Sequence, residues 1–227
     1  MPPKEIYICV VPDLETNKIL KELQEEIKKE TQLKQNDFPL HISLKSPFFI
    51  ENPKDLDQLI KDLQESLKEY KPFESKLNNF DIFSNRVLVL KTEKNKDLEK
   101  LERKVVKIVK KYDLRKNKYL QNLNKLNEKQ KKYLEKYGDY KIFEYFVPHL
   151  TLIFNIQNKK QKIMGILQNT EINMKIIINK IIIVDRKTKQ FIKEIKFGSG
   201  DWTTLPNKLI LFLILFLKLK NLFWQIR

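Results

Sequence analysis

At 227 residues, with 41% hydrophobic and 11% aromatic side chains, the chain holds enough apolar material for one sizeable core, which excludes a disordered polypeptide despite 33% charged residues. The formal net charge of +16 suits a polyanionic partner but does not identify one, because a lysine-rich composition alone produces it. A lone cysteine, Cys9, excludes an internal disulfide framework and a cysteine-based metal cluster; with no secretory leader in Met1 to Glu5, the expectation is a reducing, cytoplasmic home.

The run Ile6 to Val11 predicts a strand, with Cys9 inside it as a small buried hydrophobe. Ile19, Leu20, Leu23 and Ile27 then recur at three- and four-residue spacing and mark one face of a helix. Phe38-Pro39-Leu40-His41-Ile42-Ser43-Leu44 follows as a second strand. Asn52 and Pro53 stand where an N-cap and a first helical residue belong, ahead of Leu56, Leu59, Ile60, Leu63 and Leu67. Phe73 to Phe83 and Val87 to Lys91 read as paired strands turning near Ser84-Asn85-Arg86, and Leu98, Leu101, Val105, Ile108 and Val109 as another helix stripe.

Residues 114–140 carry eight basic and three acidic side chains, among them Arg115, Lys118, Lys129 and Lys136. Tyr119, Leu123, Leu126, Tyr133 and Tyr137 keep roughly helical spacing between them, which predicts a helical insertion with one packed and one basic face. Such a face is most often simply solvated; gripping RNA is its functional reading. Phe146-Val147-Pro148-His149-Leu150-Thr151-Leu152 then repeats the earlier histidine pattern on a strand, followed by a short helix near Ile163 to Leu167. Two final strands, Ile176 to Val184 and Phe191 to Phe197, flank a turn at Asp185-Arg186-Lys187-Thr188. Gly198-Ser199-Gly200 closes a domain of residues 1–200. The remainder, 201–227, is a tail with the wholly apolar run Leu209 to Leu217, short for a membrane span; docking, membrane-surface contact or self-association is expected of it.

His41 and His149 are the only histidines, and each opens the same short motif. On a strand, side chains two apart share a face, so His41 lies with Ser43 and His149 with Thr151. A zinc site needs at least three protein ligands and neither motif holds an Asp, Glu or Cys, so no metal and no cofactor are expected. Ser43 or Thr151 as nucleophile lacks the Gly-x-Ser-x-Gly elbow and an evident orienting acid. A paired acid and base fits better. At a phosphodiester one neutral imidazole takes a proton from the attacking oxygen while a protonated one gives a proton to the leaving oxygen. Histidine suits both tasks because its ordinary pKa is about 6.5. The Ser43 and Thr151 hydroxyls are placed to donate to the nonbridging oxygens. Which histidine is the acid stays open.

At these residues the chain resembles the 2H phosphoesterase superfamily, and within it the 2'-5' RNA ligase-like proteins and RNA 2',3'-cyclic phosphodiesterases. His41-Ile42-Ser43-Leu44 and His149-Leu150-Thr151-Leu152 fit its two His-x-Ser/Thr-x motifs, as do the Pro upstream of each and Lys45-Ser46-Pro47-Phe48 after the first; the likeness spans residues 4–200. It implies a bilobal α+β fold in which two pseudo-symmetric antiparallel sheets with outer helices face a central cleft. It further implies hydrolysis of 2',3'-cyclic phosphate ends of RNA or nucleotides, with reversal to 2'-5' ligation as the same chemistry. Catalysis would fall to His41 and His149, and phosphate binding to Ser43 and Thr151. Ile153-Phe154-Asn155 departs from the pattern, where a basic residue is common. The second function class is a noncatalytic RNA-binding protein using the same basic cleft. Choice among an RNA terminus, a mononucleotide, a cyclic oligonucleotide or ADP-ribose 1'',2''-cyclic phosphate depends on loops that the motifs do not fix.

Overall fold

The computed structural model describes residues 3–33, 39–114, 123–168, 170 and 172–198. Phe38, the first part of the basic insertion with Tyr119, and the whole apolar tail 201–227 lie outside them. Among the described residues no helix is long and apolar enough to cross a membrane.

Strand β1 (Lys4–Val10) leads into α1 (Leu14–Thr31), which starts where Asp13 accepts from Thr16 N at 2.9 Å and buries Ile19, Leu20, Leu23 and Ile27. Gln32, at φ 58°, ends it by donating its N–H to Lys28 O. β2 (Ile42–Ile50) precedes α2 (Pro53–Leu67), capped by Asn52 with Pro53 at the first turn as its sequence requires. β3 (Phe73–Phe83) and β4 (Val87–Thr92) form a hairpin. Ser84 and Asn85 sit at φ 51° and 56°, and Arg86 N donates to Phe83 O. α3 (Lys96–Val109) follows, capped by Asn95. In the insertion, α4 (Glu128–Tyr137) opens with an Asn127/Gln130 capping box and closes at Gly138 with φ 66°. β5 (His149–Phe154), α5 (Lys160–Leu167), β6 (Met174–Ile178), β7 (Lys180–Asp185) and β8 (Phe191–Lys196) complete the order. The β7–β8 turn is made by Asp185, whose Oδ1 accepts from Lys187 N and Thr188 N.

All eight strands belong to one antiparallel sheet in the order β6-β3-β4-β5-β2-β1-β7-β8. Two separate sheets are the expectation from sequence. The halves β6-β3-β4-β5 and β2-β1-β7-β8 do mirror one another, but the two motif strands pair at Ile42↔Leu150 and fuse them. The apolar run Ile176 to Val184 also divides. Its first part, β6, pairs with β3, its second, β7, with β1, and only Asn179 separates them. Strands one residue apart in the chain yet at nearly opposite ends of the order require the sheet to curl until the end of β6 reaches the start of β7. At that junction Asn179 O accepts from Phe197 N at 2.8 Å, one rung beyond the Lys180↔Lys196 pair of β7 and β8.

The helices cover one face of the sheet. Ile6, Ile8, Val10, Ile42, Leu44 and Leu150 of the strands share a single core with Leu20 and Leu23 of α1, Leu63 of α2 and Val105 of α3. Burial of that apolar surface, at about 25 cal/mol per Å², is the main driving force of the fold. A smaller cluster, Val106, Tyr137, Ile142 and Phe143, fastens α4 to the flank of α3. Tyr133 and Tyr137 meet Phe143 edge to face at 5.1 Å, so these two tyrosines form the packed side of α4.

Within that interface Glu102 of α3 is fully buried. One oxygen accepts from Phe143 N at 3.1 Å and the other, Oε2, has no partner among the described residues. Burial pushes the carboxyl up from 4.5 to about 7, and the charge of Asp139 adds to the rise, while the Phe143 N–H, Arg103 and Lys45 oppose it. A carboxyl whose folded pKa is raised contributes its full stability below the unfolded value and loses it as pH rises through the folded one. Glu102→Gln keeps the acceptor for Phe143 N without the charge. The expected result is a gain of about 2–3 kcal/mol over the parent at pH 8.5 and little difference at pH 4.5. Urea unfolding at the two pH values measures it, and parallel pH dependence of the two proteins would refute the assignment.

Candidate active site

The single pairing Ile42↔Leu150 decides the geometry of the site. Antiparallel partners run in opposite directions, so the same register sets Ser43 across from His149 and His41 across from Thr151. Ile42, Leu44, Leu150 and Leu152 enter the core, so the four polar side chains stand together on the face away from the helices. Ser43 is exposed, and His41, His149 and Thr151 are half-buried. The structure therefore brings together all four residues singled out in the sequence.

The two histidines are held in the same way. His41 Nδ1 lies 2.7 Å from Pro39 O and His149 Nδ1 lies 2.6 Å from Val147 O, in each case the carbonyl two residues back. A carbonyl only accepts, so Nδ1 carries the proton of the neutral ring and Nε2 keeps the lone pair. Each motif thereby presents one Nε2 for proton transfer. The His41 ring leans on Tyr7 (centroids 5.0 Å apart, 37°), and His149 meets Phe83 edge to face at 4.8 Å. Burial lowers the pKa of both imidazoles, although the backbone carbonyls oppose it. The charge of His149 lowers His41 further and that of Lys141 lowers His149.

Neighbouring strands complete the face. On β1, Cys9 lies across from Ser43 and is buried with Tyr7, Ile182 and Val184; burial raises its thiol pKa far above neutrality and leaves it unreactive. Tyr7 Oη is buried there with no hydrogen-bond partner among the described residues. On β4, Val89 lies across from Thr151 and Lys91 across from His149. Tyr7, Phe83, Lys91 and Lys141 are not singled out by the sequence. Strand alternation carries a signal for Lys91, but only the strand order sets it beside His149. Among the described residues no three His, Cys, Asp or Glu side chains converge as metal ligands.

A curled antiparallel sheet whose two inner strands each present His-x-Ser/Thr-x on one face agrees with the resemblance that the two motifs carry. The chain belongs to the 2'-5' RNA ligase superfamily, whose family model matches residues 11–190. No curated protein matches the sequence. Among solved structures the chain is similar to E. coli LigT complexed with phosphate, at 10% identity and TM-score 0.56, covering 88% of this chain and 100% of that one. LigT complexed with 3'-AMP gives TM-score 0.57 at the same identity and coverage. The protein TT0787 of Thermus thermophilus gives 0.54 at 14% identity, covering 86% of this chain and all of the other. At such identities the likeness establishes the fold alone.

Proposed function

We propose that the chain is a metal-independent phosphodiesterase that opens 2',3'-cyclic phosphates at RNA ends or on nucleotides. The observation that carries this reading is the pair of Nε2 atoms, each freed by an Nδ1–carbonyl bond, on adjacent strands with a hydroxyl across from each ring. In the proposed reaction one neutral imidazole takes a proton from water as the water oxygen bonds to phosphorus. The P–O bond to the 2' or 3' oxygen breaks, and the other imidazole, protonated beforehand, gives its proton to that leaving oxygen. Ser43 and Thr151 donate to the nonbridging oxygens, where charge develops. Ligation to a 2'-5' linkage follows the same path with a ribose 5' hydroxyl in place of water, the P–O bond to the 3' oxygen breaking and that oxygen taking the proton. The phosphate and 3'-AMP complexes of LigT support a phosphate ligand on this fold.

The test is hydrolysis of an RNA oligonucleotide ending in a 2',3'-cyclic phosphate, with EDTA present. The expected result is turnover to a single phosphomonoester isomer. Ser43→Ala and Thr151→Ala should each lower kcat/KM by about ten- to hundredfold, the low side of an oxyanion donor because both sites admit water. Absence of turnover together with retained RNA affinity in the wild type would favour the RNA-binding reading instead.

A further inference from the structure

Lys91 and Asp81 form an ion pair on the histidine face beside His149, at 2.9 Å. Their strand positions explain this. Lys91 pairs with His149, and Thr92 N donates to Pro148 O, the residues just outside that pair. A bond in that position makes Lys91 and His149 a non-hydrogen-bonded pair, the closer of the two antiparallel kinds, with Cα atoms about 4.5 Å apart. Leu88 and Leu90 enter the helix-covered core, so Lys91 takes the opposite face, which is that of His149. Asp81 lies across from Val89 on the next strand, on the same face, and bonds to Lys91 diagonally.

We infer that Lys91 is the phosphate-binding cation of this site, held by Asp81 until a phosphate group takes its place. This rests on the phosphoesterase reading above and names the charge partner that it lacks. Side-chain exposures of 34% for Lys91 and 42% for Asp81 leave the pair open to solvent and weakly held. Release of the ammonium to a stronger anion is therefore cheap. A phosphate monoester carries up to two negative charges against one on the carboxylate, and it sits between His41 and His149, within reach of a four-carbon stem rooted beside His149. Asp81 thus acts as a competitor for Lys91, and the two residues have opposite effects on anion affinity. An ion pair that only braced the hairpin would give both residues the same effect on stability and none on affinity.

The experiment is a calorimetric titration with 3'-AMP at 0.15 M salt, run beside the cyclic-phosphate assay. Lys91→Gln should weaken binding by about tenfold or more, the value of a hydrogen bond to a charged group. Asp81→Asn should tighten it, and the double variant should match Lys91→Gln. Lys180→Gln is the control, since Lys180 pairs with Glu194 at 2.8 Å with similar exposure, on a strand three places from β5. Unchanged affinity in Lys91→Gln, weaker binding in Asp81→Asn, or an equal loss in Lys180→Gln would each overturn the inference. If the wild type turns over the cyclic phosphate while Lys91→Gln retains both Kd and KM, the inference fails and the proposed function stands. If 3'-AMP binding follows the predicted order while the wild type leaves the cyclic phosphate intact, the anion site stands and the proposed function fails.

Discussion

His41→Ala and His149→Ala are each expected to lower kcat on a cyclic phosphate by about 10³-fold or more, since a positioned general acid or base contributes about 10²–10⁴-fold and each variant loses one of the two. The loss should fall on the chemical step. Both rings are half-buried at the end of a strand, and their only hydrogen bonds to the described residues are local ones to Pro39 O and Val147 O. Water can replace those bonds, so the variants should fold, bind 3'-AMP within a few-fold of wild type, and fail to turn over. Undiminished turnover in either variant would defeat the paired mechanism.

The same pair sets the pH dependence. Burial disfavours the imidazolium form of each ring, and the charge of His149 opposes protonation of His41. A lowered pKa means that the acid gives up its proton at lower pH, so the alkaline limb of kcat/KM for the free enzyme should lie below the ordinary histidine value of about 6.5. The predicted profile is a bell centred on the acid side of neutrality. A profile still rising at pH 8 would exclude two histidines as the titrating groups.

Much of this arrangement is legible in the chain. Alternation places His41 with Ser43 and His149 with Thr151, and Asn52-Pro53 announces the start of α2. Both are local signals, fixed by backbone geometry within a few residues. The union of two half-sheets is not local. It rests on one pairing between strands more than a hundred positions apart, and alternation is indifferent to which strand lies next door. The division of Ile176 to Val184 is hidden for a related reason. Strands buried within a sheet read as continuous apolar runs, and Asn179 is a weak mark of the crossing from β6 to β7. Lys91 and Phe83 join the site only once β4 and β3 are known to follow β5 in the order.

Lys45 is the residue about which composition misleads most, because lysine is rarely buried without a partner. Here it is 1% exposed, with Nζ 3.2 Å from Asp113 Oδ2 and 3.0 Å from Tyr137 O. The pair ties β2, two residues past Ser43, to the chain leaving α3 and to the end of α4. Asp113→Ala leaves the ammonium in the interior without its carboxylate, a change that costs about 3–5 kcal/mol in buried pairs. Domains in general are stable by only about 5–15 kcal/mol, so this is a large share. For a domain of this size the midpoint of thermal unfolding should fall by roughly 6–20 °C, which a melting curve measures directly. Lys45→Met combined with Asp113→Ala should recover most of the loss, because the penalty belongs to the stranded charge and Met fills similar volume without one. An unchanged midpoint in Asp113→Ala would show that the ammonium finds equal compensation in Tyr137 O and its surroundings. Recovery of stability in the double variant with turnover still impaired would assign the pair a second task, that of fixing the register of β2 and with it the position of Ser43.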